Sequence, residues 1–219
     1  MGWGLLLLIM VSCTSEDYDT GDGEYSYLIG EFGQVYTDGE AQITRMVTDN
    51  GDEVTFAQPF KREWAATPDS LYRAYVQYER RMDSNGRYRL FGIAQVMVLA
   101  FREQADMKEE MKSDPVEWES MWVSHDRRYL NLSLQLMVGS TGEEQLLQRI
   151  GLVRMSAVVR DDGTTVHTLR FFHDQNGVPQ YYRSAVYASI PLAALHEGDE
   201  LVLTIPTYQG DMTRRYTVP

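Results

Sequence analysis

A single cysteine, Cys13, is present among the 219 residues. That count excludes a disulfide framework and any zinc centre built on several thiolates. No run of about 20 apolar residues occurs, so no standard transmembrane helix is encoded. Bases are absent from residues 1–44, and Lys is scarce throughout, with Lys61, Lys108 and Lys112 the three examples. The formal net charge of −12 repels polyphosphate, which argues against a nucleic-acid partner. Three chemical signatures are also missing: a Gly-x-Ser-x-Gly nucleophile elbow, a phosphate-binding glycine loop before a helix, and a complete calcium loop. The stretch 19–24 has calcium-loop character, but Gly30 stands where the closing Glu would be needed.

What is present begins with an address. Residues 3–12 are almost wholly apolar, end in Ser12 and lead directly into Cys13. A small residue before a cut site fits the narrow pocket of a signal peptidase. Met10-Val11-Ser12-Cys13 therefore resembles the lipobox of bacterial lipoproteins, which implies acylation of Cys13 after removal of residues 1–12. Residues 13–44 hold eight acids and no base, whereas residues 45–219 hold 24 acids and 20 bases. Residues 13–27 are accordingly read as a solvated acidic tether. The same acidic stretch resembles a surface-export signal of bacteroidete lipoproteins, and a plain spacer remains the alternative.

Beyond the tether the pattern is all-β. Runs at 41–48 and 53–57 flank Asp49-Asn50-Gly51-Asp52, a strong hairpin turn. Tyr72, Ala74, Val76 and Tyr78 share one face of a strand over 70–79. Ser84-Asn85-Gly86 turns the chain into 88–102, which is apolar on both faces, as expected for a strand bent across a small closed barrel. Residues 103–114 break the pattern and read as the connection between two domains, with 106–112 as the linker proper. The second half contains the clearest alternation in the chain. Leu130, Leu132, Leu134, Leu136 and Val138 lie on one face; Asn131 and Ser133 point the other way. Strands at 152–160 and 165–173 flank Asp161-Asp162-Gly163-Thr164, a strand spans 180–190, and 201–208 and 213–218 form a terminal hairpin about 209–212. Asp114-Pro115-Val116-Glu117 has the signature of a helix start, yet a strand that places Val116, Trp118 and Trp122 on one face is favoured.

Several of these pieces together resemble the NigD-like lipoproteins of bacteroidetes. They are the lipobox with its acidic continuation, Thr48-Asp49-Asn50-Gly51, and the aromatic strand Tyr72–Tyr78. The others are Asp114-Pro115, Trp122-Val123-Ser124 leading into Tyr129-Leu130-Asn131-Leu132, and Phe171-Phe172-His173-Asp174. The resemblance implies an OB-type barrel over 28–105, a β-sandwich over 113–219, and a link to bacteriocin immunity. It transfers no catalytic residue.

Candidate chemistry is sparse. His167 and His173 fall on one face of a predicted strand, with Asp174 adjacent, but six residues is a poor spacing for ligands of one ion, and no metal site or cofactor is expected. Asp174-Gln175-Asn176-Gly177 reads as a turn. Asn131-Leu132-Ser133 matches a glycosylation acceptor inside a strand, where it has little meaning. Tyr181-Tyr182 and the Tyr72–Tyr78 strand are candidate stacking platforms or, equally, core. The expectation is a non-enzymatic, lipid-anchored protein of the outer membrane, exposed at the surface as the acidic signal implies, that binds a protein or glycan. The alternatives are a glycan-binding accessory lipoprotein of a nutrient-uptake locus and an envelope hydrolase.

Overall fold

A computed structural model describes residues 27–140 and 146–219. Cys13, the lipobox and the acidic stretch up to Ser26 lie outside the described residues. Five strands close the first unit: β1 (Leu28–Thr37), β2 (Ile43–Thr48), β3 (Glu53–Phe60), β4 (Leu71–Met82) and β5 (Tyr88–Gln95). They pair in the order β1-β2-β3-β5-β4, with β4 returning to β1 and a parallel contact between β3 and β5. This is an OB-type barrel. The Asn50-Gly51 turn joins β2 to β3 as its sequence requires, with Gly51 at φ +90°. Period-two alternation fills the interior: Val35, Ile43, Met46, Val54, Phe56, Ala74, Val76 and Tyr78 form the core, and Ala65, from the short 3-10 turn Glu63–Ala65, joins it.

The second unit is a sandwich. One sheet takes the order β14 (Gly210–Thr217), β13 (Glu200–Thr207), β11 (Thr165–Asp174), β10 (Arg149–Val159), β7 (Phe101–Glu103). The facing sheet runs β6 (Met97–Val98), β12 (Tyr182–Pro191), β9 (Tyr129–Val138), β8 (Glu117–Val123). Leu130, Leu132, Leu134 and Leu136 of β9 all enter the core between the sheets. The last hairpin turns at Tyr208-Gln209, tighter than the 209–212 turn read from sequence, because Gly210 at φ +108° already belongs to β14.

Three readings are corrected by the ladders. The apolar run 88–102 is not one strand. It leaves the barrel after Gln95, and Met97–Val98 then pairs with β12 while Phe101–Glu103 pairs with β10. Its two apolar faces serve two units in succession, which periodicity alone cannot distinguish from one strand covered on both sides. Residues 103–114 consequently do not span the two units but run along the sandwich. Glu109 pairs with Arg102 and Arg149 there, and Ser113 bridges to His173. Finally, the strand favoured over a helix after Asp114-Pro115 is present, but its faces differ from those read. β8 is a strand, and a register shift between Trp118 and Ser120 changes the parity of its faces. Val116, Trp118, Met121 and Val123 pack on the core, while Trp122 leaves the shared face and turns to the barrel.

Candidate interdomain cleft

The outer face of β1 and β4 lies against the outer face of the β12-β9 pair. Phe32 opposes Tyr75, and Gln34 opposes Arg73, across the β1–β4 ladder. Ser189 opposes Asn131 across β12–β9. Asn131 and Ser133 do point away from the sandwich core, as their alternation requires, yet both are buried. The barrel covers Asn131, and Ser133 donates to Glu119 at 2.5 Å.

Arg73, only 3% exposed, ties the two units together. Its two terminal nitrogens grip both oxygens of Asp49, the second at 2.7 Å, and that second nitrogen also reaches Asn131 Oδ1 at 3.1 Å. Its Nε donates to Ser189 Oγ at 3.2 Å, and Ser189 Oγ donates to Asn131 Oδ1 at 2.7 Å. The guanidinium stacks on the Tyr129 ring, 4.3 Å from its centroid. A second set of bonds flanks it. Gln34 Nε2 donates to the Tyr129 hydroxyl at 3.0 Å, and Arg128 donates to Gln34 Oε1 at 3.1 Å. An aromatic cluster centred on Phe32 closes the contact, with Tyr75, Tyr187 and Trp122 at 5.0, 5.1 and 5.3 Å between ring centroids. Gly30 makes room for it, since a Cβ there would lie 2.0 Å from the Tyr75 hydroxyl oxygen.

Beside this contact opens a cleft of about 550 Å³. The barrel contributes Glu31, Phe32, Asp49 and Asn50, and the sandwich contributes Trp122 and the β8–β9 turn with His125 and Arg127. Both acids of the barrel wall are already engaged. Asp49 is held by Arg73, and Glu31 accepts from the Tyr78 hydroxyl and from Asn50 Nδ2. Burial, reinforced by the Glu31 charge and hydrogen bond, pushes the Tyr78 phenol far above its ordinary range, so it stays a donor. Across the cleft the turn is fixed by Asp126. Burial works to raise the pKa of that carboxyl, but the Ser124 hydroxyl and the Arg128 amide and guanidinium hold it below the usual value.

The histidines of the sequence reading do not converge on one another. His167 faces Asp199 at 3.5 Å, while His173 contacts the Asp114 carbonyl at 3.0 Å and Gln148 at 2.8 Å. Burial lowers the His173 pKa. Asp174 pairs with Arg149 at 2.5 Å and caps the turn at Asn176. Tyr78 belongs to the barrel core, and Tyr181 and Tyr182 are exposed. Of the residues that build the cleft, Asp49, Asn50 and Trp122 entered the sequence reading only as turn, strand or family-motif residues, and Phe32, Arg73 and Arg127 did not enter it. One signal was available: on β4 the face opposite Tyr72, Ala74, Val76 and Tyr78 carries Arg73 and Tyr75, an unusual pair for a face meant only for water.

The sequence profile of the NigD-like C-terminal beta sandwich domain matches residues 98–218. The chain belongs to the NigD-like family. The match begins within β6, in keeping with the pairing of residues 97–103 into the sandwich. Among solved structures, this NigD-like chain is similar to a NigD-like immunity protein from Bacteroides caccae, with 21% identity, 88% of this chain and 93% of that chain covered, and a TM-score of 0.60. It is similar also to a protein described as toxin-related from Parabacteroides distasonis, at 20% identity, 86% and 92% coverage and a TM-score of 0.60. A Bacteroides fragilis protein described as a lipoprotein aligns at 10% identity, 87% and 99% coverage and a TM-score of 0.55. These likenesses span both units and establish the fold. No curated protein matches the sequence.

Proposed function

We propose that this NigD-like chain is a lipid-anchored protein of the outer membrane that works by holding a polypeptide partner rather than by turnover, in the manner that the immunity description of its Bacteroides caccae relative suggests. The observation that carries this reading is the cleft at the junction of two units fixed to each other by Arg73. Clefts between domains are common recognition sites, and this one has the size of a specific pocket. Its composition also favours recognition. Trp122, Phe32 and Arg127 are of the residue types that dominate interface energetics. The two carboxylates in its wall are bound up in internal bonds, which leaves neither poised as a general base. Attachment through Cys13 and display at the surface rest on the lipobox and the acidic stretch behind it.

A photo-cross-linking residue placed at His125 in the full lipid-anchored protein tests the reading in living cells. It is expected to give a discrete polypeptide adduct that disappears when Trp122→Ala is added. The same residue placed at Val159, on the β10–β11 hairpin, is expected to give none. A glycan adduct, or the same adduct from both positions, would sink the proposal. For the anchor, Cys13→Ala is expected to move the protein from the carbonate-washed membrane fraction into the soluble fraction; retention in the membrane would refute lipidation.

A further inference from the structure

We infer that the cleft recognises a carboxylate carried beside an aromatic or apolar side chain on the partner, with Arg127 as its contact; this deepens the binding role proposed above and depends on it. The argument starts from what the cleft has to spare. The Asp49 carboxylate is spent on Arg73, and the Glu31 carboxylate on Tyr78 and Asn50. On the opposite wall the β8–β9 turn divides its residues into two sets. Ser124, Asp126 and Arg128 are bonded to one another and to the start of β9, through Ser124 Oγ to Asp126 at 2.6 Å, Arg128 Nε to Asp126 at 2.6 Å and the Tyr129 amide to Ser124 Oγ at 2.9 Å. His125 and Arg127, between them, are exposed, and their side chains make no hydrogen bond or ion pair among the described residues.

Arg127 also holds φ +56°, a left-handed conformation that favours Gly or Asn. The bonds around Asp126 impose that conformation, so the turn presents Arg127 on a rigid base. The spare capacity of the cleft is therefore chiefly that of a donor: the five N–H groups of the Arg127 guanidinium, which carries no acceptor. The matching ligand supplies acceptor oxygens. A charged acceptor is preferred, because an ionic hydrogen bond to a guanidinium, often bidentate, is about twice as strong as a neutral one. Trp122 and Phe32, whose rings meet edge to face, supply the apolar wall beside it. Arg128, although adjacent, cannot substitute, since Asp126 and Gln34 occupy it.

The test uses the full-length mature chain without lipid, observed through its Trp122 indole and Arg127 side-chain NMR signals. The probe is acetyl-phenylalanyl-aspartyl-amide, compared with its uncharged isostere acetyl-phenylalanyl-asparaginyl-amide and with free benzoate. The aspartyl peptide is expected to shift both signals saturably. The asparaginyl peptide, and the aspartyl peptide on Arg127→Gln, are expected to bind roughly tenfold more weakly or worse. Arg127→Gln is expected to melt with the wild type because its side chain makes no hydrogen bond or ion pair among the described residues, and Arg127→Lys is expected to recover part of the affinity. Equal affinity for the two peptides, or an unaffected Arg127→Gln, would overturn the assignment. Benzoate binding as tightly as the aspartyl peptide would overturn it too, by showing a site for a free small acid. If the peptides fail while the His125 adduct persists, the binding role stands and the carboxylate assignment falls. If the aspartyl peptide binds selectively and no adduct forms, the reverse holds.

Discussion

Arg73 sits between the two units with its charge met on every polar side, by Asp49, Asn131 and Ser189. Removing it leaves a partly buried carboxylate without its partner and Ser189 Oγ without its donor, while Asn131 Oδ1 keeps only the Ser189 hydroxyl. Loss of one partner of such a pair typically costs about 3–5 kcal/mol. Arg73→Ala is expected to lower the unfolding free energy of the whole chain by that order, read from the midpoint of a urea titration. Arg73→Lys is expected to recover little, because one ammonium cannot replace a planar fork that serves three partners. Asp199 makes a different prediction. Burial works to raise the pKa of its carboxyl, but the amides of His196 and Thr165, and then His167, bring it below the ordinary value. The unfolded chain therefore takes up this proton at a higher pH than the native chain. The contribution is fully present above the unfolded value of about 3.9 and is lost as the pH falls through the lower native one. A melting series between neutral pH and about pH 3 is expected to show a shallower acid limb for Asp199→Asn than for the wild type.

β9 shows how far sequence reading reaches. Strict alternation located its leucines in the core, because a one-residue error in such a strand would turn every one of them into water. Leu134→Ala is expected to cost about 2–5 kcal/mol. Ser133→Ala is expected to cost about 1 kcal/mol, since only its bond to Glu119 is lost, and differential scanning calorimetry separates the two. The hairpins at Asn50-Gly51 and at 161–164 were legible for the same kind of reason: positive φ demands particular residues. β8 was legible as a strand but not in its faces, because a bulge adds one residue of parity and leaves no compositional mark at Trp118–Ser120. The cleft was hardly legible at all. Asp49 read as a turn residue and Asn131 as a residue facing away from the sandwich core, and both readings are locally correct. Their partner Arg73 lies 24 residues from Asp49 and 58 from Asn131, a separation on which local pattern is silent.

At the level of the whole molecule the two units are joined by chain as well as by side chains. The amide of Val96 donates to the Arg73 carbonyl of the barrel at 3.0 Å, and the amide of Leu99 donates to the Ser189 carbonyl of the sandwich at 2.9 Å. The crossing is thus made within four residues, each end already in a ladder. A fragment 113–219 lacks β6 and β7 and uncovers one edge of β12 and one of β10, so it is expected to associate at micromolar concentration, whereas a fragment 96–219 is expected to stay further towards the monomer in analytical ultracentrifugation. The same two strands bear on how such chains can recombine. A chimera that grafted the barrel of one relative onto the sandwich of another would succeed only if the breakpoint fell just before Met97, so that each sandwich inherits its own pair of edge strands. A splice placed anywhere in the charged stretch after Glu103, where composition invites it, would instead give every sandwich a foreign hem.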